Sequence, residues 1–452
     1  MNRQLSRREL IRMLGASGVA AGLGGMLPAN RASADPASRP DAPPGKLVQG
    51  TDHPPAVVVG GKVIQPQREL PLLHTTDVLV VGGGPAGVCA AIAARRAGAR
   101  VTLVERYGHF GGLWTGGLVL LVLGHIVTGK KQVCQGIGEE MMQRLEKLDR
   151  GIVNRRPGAN PTVDAEALKY VMVEMVLEAE VDVFLHCWGV DAIMDGQAVR
   201  GAVFESKSGR QAILAENVVD ATGDGDLFAA AGAEHERRVY HIGLPCRIGN
   251  LDKVDRAKAK LAKPPGHLGN LSPIRGVNWV NMHGPDADGL DVAELTRLEL
   301  NHRRQIWKNV EEIRNTPGYE EVYLMETAPQ LGVRITRVLA GTETLTMEGV
   351  KTGKTFPDVV AVGGAWNGDH QEWQIPYGAL LPKRVDNVLA AGRCVSGEPR
   401  MADLIRVIPN CFITGHAAGC AAALAVKDGC RVRDVEVPKL QKLLREQEAY
   451  LG

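Results

Sequence analysis

The first clear pattern of apolar positions predicts a strand, a helix and a second strand in succession. Residues 78–81 form a continuous apolar run, which is typical of a parallel strand buried on both faces. Small residues then continue as far as Gly98, so we expect a helix to stop there. A second apolar run over 100–104 predicts the next strand. Together these elements indicate an α/β fold built on a βαβ unit.

Later segments extend this prediction. Asp164 precedes a run with helical periodicity, so it is expected to act as the N-cap. The apolar face of that helix comprises Leu168, Met172, Met175 and Val176. A strand over 181–186 and an alternating stretch over 199–221, turned at Ser208 and Gly209, predict a β-meander. Near the amino terminus, residues 56–64 predict a hairpin turned at Gly60 and Gly61.

Composition adds an excess of glycine and an unusual set of cysteines. Glycine supplies 54 of 452 residues, about 12% against a usual ~7%, which suggests backbone brought close to another element or a ligand. The 44% apolar and 23% charged residues exclude a disordered chain or a small disulfide scaffold. None of the eight cysteines forms CxxC, so we expect mostly buried thiols and no metal site.

The net positive charge of the chain lies in residues 1–34. They contain five arginines and one glutamate, a net charge of +4, so the total of +2 leaves −2 for the remainder. A nearly neutral remainder gives no electrostatic case for binding nucleic acid or anionic lipid. The sequence has no uninterrupted run of 18 apolar residues, so it predicts no transmembrane segment.

The same residues predict an export signal. Arg7 and Arg8 are followed by a weakly apolar Gly/Ala stretch and by Ala32 and Ala34 at a suitable cleavage site. The pair resembles a twin-arginine signal, which implies the twin-arginine export machinery as a partner and a periplasmic or extracellular destination. That route carries folded proteins, often with a cofactor already inserted. The alternative is an amphipathic surface helix.

The turn between the two predicted strands has the form GxGxxG. Gly82 would make the tight turn, Gly84 would admit a pyrophosphate, and Gly87 would let the helix pack on the strand. Pro85 and Ala86 begin that helix, whose N-terminus favours phosphate. Glu105 ends the second strand and is suited to accept hydrogen bonds from an adenosine ribose. An ordinary βαβ unit without ligand is the alternative.

Several further segments resemble one group of flavoproteins. They include ERYGHFGG, VVDATGDGD, LGVRITR, NVLAAGRCVSG and RVIPNCFITGHAAG, within a resemblance that extends from about residue 70 to 430. The chain is similar to the FAD-dependent oxidoreductases of the glutathione-reductase-like fold. The resemblance implies noncovalent FAD and an α/β Rossmann-like domain with a β-meander and an inserted cap. It places near the cofactor Gly82, Gly84, Gly87, Glu105, Arg106, Gly111, Gly112, Gly223, Gly392 and Arg393.

Three further features adjoin this expected cofactor. Many flavoproteins hold the ribityl chain with an aspartate at the position of Arg393, so that partner stays unassigned here. Gly116 and Gly117 repeat the earlier glycine pair and would admit a second large flat group. Pro409 suits the first turn of a small-residue helix whose positive end would point towards the flavin, so we expect Pro409 to contact the cofactor.

The resulting domain organisation is discontinuous. We expect an export signal at 1–34, a proline-rich lead-in at 35–73, and a FAD domain in two parts, 74–235 and 356–435. A substrate or cap domain would occupy 236–355, and 436–452 would form a tail.

A single dinucleotide fingerprint and the lack of a cysteine pair exclude a second nicotinamide domain and a disulfide-reductase mechanism. The electrons must therefore pass between a small substrate and a separate acceptor or donor such as a quinone, a haem protein or oxygen. Candidate catalytic residues are Arg334, Arg337, Arg406, His370, Tyr377 and Thr115. Asp224 and Asp226 are better explained as helix caps than as a catalytic pair, although Asp224 also adjoins the expected cofactor.

The chemistry of these candidates is transfer of a hydride, in which an arginine binds a carboxylate or stabilises an oxyanion. Two other functions stay open at this point. One is a flavin monooxygenase, and the other is a redox-silent FAD-binding partner protein.

Overall fold

The computed structural model describes residues 53–125, 131–156, 159–260, 266, 268–364 and 372–452. The predicted export signal and His370 lie outside the described residues. The chain divides into two compact units, residues 1–69 and residues 70–452.

The first unit contains the expected hairpin. Strand β1 (Val57–Val59) pairs antiparallel with β2 (Lys62–Ile64). Gly60 and Gly61 both have positive φ, +55° and +76°, as a two-residue turn with the right-handed twist of the strands requires. The prediction of this hairpin is confirmed.

The second unit is organised around one large sheet. Within the described residues, its strand order is β7-β4-β3-β10-β9-β8, and β21 pairs with β10. The strands are β3 (Leu72–Val81), β4 (Val101–Val104), β7 (Asp182–Phe184), β8 (Trp188–Asp195), β9 (Ala198–Ser206), β10 (Gly209–Asp220) and β21 (Val388–Ala390). Strands β7, β4, β3, β10 and β21 are parallel, whereas β8, β9 and the first half of β10 form an antiparallel meander. This α/β architecture is the predicted fold class.

One strand differs from its prediction. The apolar run at 78–81 is buried as expected, but β3 begins six residues earlier, at Leu72. The early part pairs with β10 from Ala212 onwards. Backbone pairing does not depend on apolar side chains, so the pattern could not show this extension.

Two helices cross the sheet beside the parallel strands. Helix α1 (Pro85–Arg96) follows the glycine turn, and α9 (Ile408–Asp428) lies against it. A Cβ at Gly415 or Gly419 would collide with the carbonyl oxygen of Ala86 or Ala90. The small residues of α9 therefore allow the close approach that the sequence predicts.

The remaining helices include the predicted capped one. They are α2 (Ile137–Glu146), α3 (Ala165–Glu178), α4 (Asp226–Ala230), α5 (Arg256–Ala259), α6 (Val292–Arg314), α7 (Met347–Thr352), α8 (Ala402–Ile405) and α10 (Val437–Glu446). Asp164 caps α3 by accepting hydrogen bonds from the amides of Glu166 and Ala167. The four residues assigned to its apolar face are all buried.

Residues 246–327, within the predicted cap domain, contribute a second sheet and a long helix. Four strands run in the order β14-β15-β13-β17: β13 (Cys246–Gly249), β14 (Asn270–Leu271), β15 (Asn278–Val280) and β17 (Tyr323–Thr327). Helix α6 begins after Asp291, whose carboxylate accepts from the amides of Ala293 and Glu294. The 236–355 domain boundary stays a prediction.

Short strand pairs complete the second unit. They are β5 (Ile152–Val153) with β6 (Thr162–Val163), β11 (His235–Arg237) with β18 (Arg337–Leu339), β12 (Tyr240–His241) with β16 (Asp286–Ala287), and β19 (Val359–Gly363) with β20 (Trp373–Pro376).

Helix α9 is long and apolar enough to cross a membrane by length and composition, but its apolar window is completely buried inside the protein. It is therefore the core helix of the fold. The eight cysteines are all free, and six are buried, as expected. No cluster of metal-ligating side chains occurs among the described residues.

Candidate functional site

A cavity of about 390 Å³ opens where the carboxyl ends of the parallel strands meet. Val81, which ends β3, is paired with Val104 of β4 and with Asp220 of β10, and Asp220 is paired with Ala390 of β21. The loops that leave these strands line the cavity, together with the first turns of α1 and α9. Open α/β sheets bind their ligands at such an edge.

The glycine turn forms the floor of this cavity. Gly82 has φ +103°, and a Cβ there would collide with the carbonyl of Ala221. A Cβ at Gly87 would collide with the carbonyl of Gly82. A Cβ at Gly84, by contrast, would have the Cα of Gly112 as its nearest neighbour, at 4.0 Å. The space beside Gly84 is therefore left open towards the cavity. Packing explains the first and third glycines, whereas a close ligand explains the second.

The start of α1 is prepared for an anion. No side chain caps the helix, its first turn contains no acidic residue, and Pro85 occupies an early position that needs no N–H donor. Pro85 and Ala86 both line the cavity. Uncapped amides at a helix N-terminus form a binding site for phosphate.

Glu105 also lines the cavity. It is 5% exposed, and its two carboxylate oxygens accept hydrogen bonds from the amides of Gly83 at 2.6 Å and Tyr107 at 2.8 Å. Each oxygen retains a lone pair for a hydroxyl donor. Arg106 follows and lies over the rings of Tyr107 and Trp188.

The next glycine pairs have different roles from those expected. Of the four glycines, Gly112 alone lines the cavity, and a Cβ there would lie 3.2 Å from the Cα of Gly84. Gly111 has φ +105°, and a Cβ on it would collide with Thr115. Gly116 and Gly117 are packed in the same way against His109 and Leu113. These three glycines permit a compact turn, so their assignment beside a second flat group is corrected.

Asp224 and Arg393 form a largely shielded ion pair on the cavity wall. Arg393 donates from Nη2 to Asp224 at 2.8 Å, and Thr336 donates to the same carboxylate. Burial by itself would raise the pKa of Asp224, but the charge and hydrogen bond of Arg393 keep it lowered. Gly223 (φ +79°) lies beside the guanidinium, whereas Gly392 (φ +87°) lies beside Ala86 and Cys411, and both glycines line the cavity.

The expected capping roles of Asp224 and Asp226 are wrong. The carboxylate that caps α4 belongs to Asp220, which accepts from the amides of Leu227 and Phe228. Asp226 instead pairs with Arg337. Burial, together with the charges of Asp224 and Asp220, raises the pKa of Asp226 to about 6.

The first turn of helix α9 lines the cavity. Ile408 and Cys411 line the wall, and no side chain caps the helix. Pro409 lies in the first turn, where no N–H donor is needed, but it does not line the cavity. Its assignment as a contact residue is therefore corrected to a structural role.

Of the five candidate catalytic residues that the structure describes, two line the cavity. They are Arg334 and Arg406. Arg337 is directed elsewhere, because it donates to Asp226 and to the carbonyl of Asp224. The other described candidates, Thr115 and Tyr377, are also outside the cavity lining.

Hydrogen bonds explain where Thr115 and Tyr377 lie. Thr115 is buried and donates to the carbonyl of Phe110, so it closes the glycine turn. Tyr377 is buried and donates to the carbonyl of Val432 at 2.6 Å. Neither hydroxyl is directed at a ligand in this cavity, so both assignments are corrected.

Sequence reasoning missed the residues that surround Arg334 and Arg406. Arg334 donates to the carbonyl of His241 at 3.0 Å, and the His241 ring lies 5.4 Å from that of His283. Tyr240 donates to Asp403 at 2.7 Å. Burial, reinforced by the two arginines, lowers the pKa of His241 to about 4. No spacing pattern could have found this cluster, since its members come from four distant segments.

The cavity fits an adenine dinucleotide. The open space at Gly84, the uncapped start of α1 and the remaining lone pairs of Glu105 match a pyrophosphate and a ribose in order. A second helix without a side-chain cap, α9, also begins at this cavity and would face the second aromatic group of the dinucleotide.

Comparison with known proteins agrees with this fit. The profile of the family described as FAD dependent oxidoreductase matches residues 77–238 and 251–444. The 6-methylpretetramide 4-monooxygenase of Streptomyces rimosus is 31% identical over 162 residues, which are 33% of this chain and 38% of that protein. The match therefore spans well under two thirds of that relative.

Two solved structures are similar to this chain at low identity. A geranylgeranyl bacteriochlorophyll reductase-like protein from Thermoplasma acidophilum is 15% identical, with coverage of 83% of this chain and 84% of that one, at a TM-score of 0.47. An anhydrotetracycline hydroxylase from Streptomyces rimosus is 14% identical, with coverage of 82% and 66%, at a TM-score of 0.46.

Proposed function

This chain belongs to the FAD dependent oxidoreductase family, and from that premise we propose that it transfers a hydride between a small organic substrate and noncovalent FAD. A separate acceptor or donor would then exchange the two electrons. The observation that carries this proposal is the continuity of the cavity. Its lining includes the glycine turn, the start of α9, and also Arg334 and Arg406, which are not needed to hold the dinucleotide.

The residues that would hold FAD follow from the chemistry of the groups that line the cavity. The start of α1 would bind the pyrophosphate, Glu105 the adenosine ribose, and the first turn of α9 the pyrimidine edge. Bound FAD supplies acceptance or donation of a hydride at its N5 atom. The helix N-terminus favours negative charge beside it by roughly 0.3 to 1 kcal/mol.

The protein's own side chains would then orient the substrate. Arg334 and Arg406 supply fixed positive charge, and Leu295, Val333 and Ile408 give the same cavity an apolar wall. Such a wall excludes water and strengthens the electrostatic contacts of the arginines. In the oxidative direction the substrate loses a hydride and a proton, and a base must hold that proton.

Anaerobic reduction of the bound flavin tests this proposal. Purified yellow protein is screened with small alcohols, hydroxy acids, amines and saturated acids, and the 450 nm region is followed for bleaching. We expect at least one class to bleach the flavin and a quinone, a haem protein or oxygen to restore it. The redox-silent alternative would be favoured if no compound bleached the flavin and if the reduced protein passed electrons to none of these acceptors.

A flavin monooxygenase is the second candidate. Its support is the 31% identity to 6-methylpretetramide 4-monooxygenase, confined to 162 residues. A monooxygenase needs a reductant to reduce FAD before oxygen reacts. Rapid bleaching by NADH or NADPH, followed by oxygen-dependent hydroxylation of an aromatic compound, would replace the dehydrogenase proposal with this one.

We also propose that the protein is exported in the folded state. The support is the twin-arginine pair with its small-residue stretch and cleavage site in residues 1–34. Folded export suits an enzyme that must carry a noncovalent cofactor, because the bound flavin travels with it.

A further inference from the structure

Arg334 is a buried cation without a carboxylate partner among the described residues. It is 7% exposed. Its guanidinium donates to the carbonyls of His241 at 3.0 Å and Gly332 at 3.3 Å, and to the side chain of Asn281 at 3.4 Å. All three acceptors are neutral. A buried charge that is not compensated is costly, so it is retained where a ligand of opposite charge binds.

Arg406 supplies a second cation on the same wall. It pairs with Asp403, and its Nε is buried without a hydrogen-bond partner. Asp403 also accepts from Tyr240, so the carboxylate is already shared. Burial, followed by repulsion from Arg406, lowers the pKa of Arg334 to about 10, which still leaves it charged at neutral pH.

The neighbouring histidines do not alter this charge. Burial and the two arginines lower the pKa of both His241 and His283, so both are neutral at pH 7. The cluster of two arginines and one aspartate therefore has a net charge of +1.

We propose that the substrate is an organic acid whose single carboxylate binds between Arg334 and Arg406. The assignment rests on the proposed function, because it places the reacting carbon in the cavity beside the flavin. A planar guanidinium matches a carboxylate with two parallel hydrogen bonds. The Nη2 of Arg334, which is engaged only weakly by Asn281 at 3.4 Å, is the available donor, and Arg406 adds a second positive charge to the same cavity lining.

Charge and lining favour a monocarboxylate over a phosphate. A phosphate monoester carries close to two negative charges at neutral pH, against a net charge of +1. Pro329, Leu331 and Val333 adjoin Arg334 in the cavity lining, so the body of the acid should be apolar. Binding of the flavin pyrimidine by these arginines is the competing assignment.

Binding of simple probes to the FAD-loaded protein tests the inference. Benzoate, its neutral analogue benzamide and inorganic phosphate are titrated while the visible flavin spectrum is followed. We expect benzoate to perturb the spectrum and benzamide to bind at least about tenfold more weakly, which corresponds to about 1.4 kcal/mol. Phosphate should have no effect at the concentrations where benzoate saturates.

Variants assign the effect to residues. Arg334→Gln should weaken benzoate at least about tenfold and keep its full FAD content, and Arg334→Lys should lie between it and the original protein. Arg384→Gln is the matched control, since this arginine is 83% exposed in its side chain and outside the cavity. If the Arg334 variants do not fold, Arg406→Gln should show the same loss for benzoate.

Three outcomes would overturn the inference: equal binding of benzoate and benzamide, unchanged benzoate binding in Arg334→Gln, or loss of FAD from a folded Arg334→Gln protein, which would assign the cation to the cofactor. Failure of the proposed function is distinguishable from these. In that case benzoate binding depends on Arg334, but no reductant bleaches the flavin.

Discussion

At the scale of single residues, some side chains and glycines of this site serve packing, whereas others are left for a ligand. Gly82 and Gly87 are required by neighbouring carbonyls, whereas Gly84 adjoins open space. The same distinction separates Arg337, which is paired with Asp226, from Arg334, which has neutral acceptors only. Residues of one type therefore differ in function according to whether the protein itself satisfies them.

Gly84→Val should give a folded protein without FAD. The new side chain meets no protein atom closer than 4.0 Å from its Cβ, so it would occupy the space of the pyrophosphate. Thermal unfolding of the apoprotein and the 450 nm absorbance of purified material measure the two effects. Gly266→Val is the control, because Gly266 also has open space around it and lies outside the cavity. A yellow Gly84→Val protein would contradict the assignment.

Asp220→Ala should destabilise the protein by about 1–3 kcal/mol, because buried amides of α4 lose their acceptor. Asp220 is fully buried and accepts from Leu227, Phe228 and Thr222. Urea unfolding measures the change, with Asp195→Ala, whose side chain is 79% exposed, as the control. Equal midpoints for both variants would show that other groups satisfy α4.

At the scale of elements, α9 connects the cofactor site to the core. It begins at the cavity, packs on α1 through Gly415 and Gly419, and contacts the end of α10 through His416. His416 bonds to Gln447, which in turn donates to the carbonyl of Ala93 in α1. Displacement of α9 would therefore affect both the sheet and the flavin.

The stability contributed by His416 should depend on pH. Burial lowers the pKa of His416 to about 4, below the ordinary histidine pKa of about 6.5, so the folded state binds this proton more weakly than the unfolded state does. This contribution is fully present above pH 6.5 and is lost as the pH falls towards 4, by about 3 kcal/mol. The difference in unfolding free energy between the original protein and His416→Asn should therefore shrink over that range. A difference that is constant with pH would contradict the prediction.

At the scale of the whole molecule, the cavity brings together segments that are far apart in the chain. The dinucleotide wall comes from residues 82–112 and 221–224, whereas the arginine wall comes from Arg334 and Arg406. Return of the chain through β21 places Gly392 and Arg393 between them. A cofactor bound here would contact segments that range from Gly82 to Cys411 in the chain.

Replacement of both Arg7 and Arg8 by lysine should retain the precursor in the cytoplasm, because the predicted signal depends on the arginine pair. Cell fractionation, with the flavin content of each fraction, measures the result. Replacement of Arg3 and Arg12 by lysine is the control with the same number of changes. Unchanged export of the Arg7 and Arg8 variant would remove the basis for the localisation proposal.

The sequence by itself determined the local elements and the dinucleotide end of the site. The apolar run, the glycine spacing and Glu105 lie within 30 residues, so local geometry and periodicity specify them. Asp164 was likewise predictable, because an N-cap acts on amides two and three residues away. The early start of β3 depended on its partner β10 and left no mark in its side chains.

Only the tertiary structure decided which arginine is free to bind a ligand. Arg334 and Arg337 are three residues apart in one motif, but Arg337 meets Asp226 from a segment more than 100 residues away. The cap on α4 was likewise assigned to Asp220 by its position at the end of β10, not by proximity to the helix start. The physical reason is that compensation of charge depends on distances between side chains, and long-range packing sets those distances.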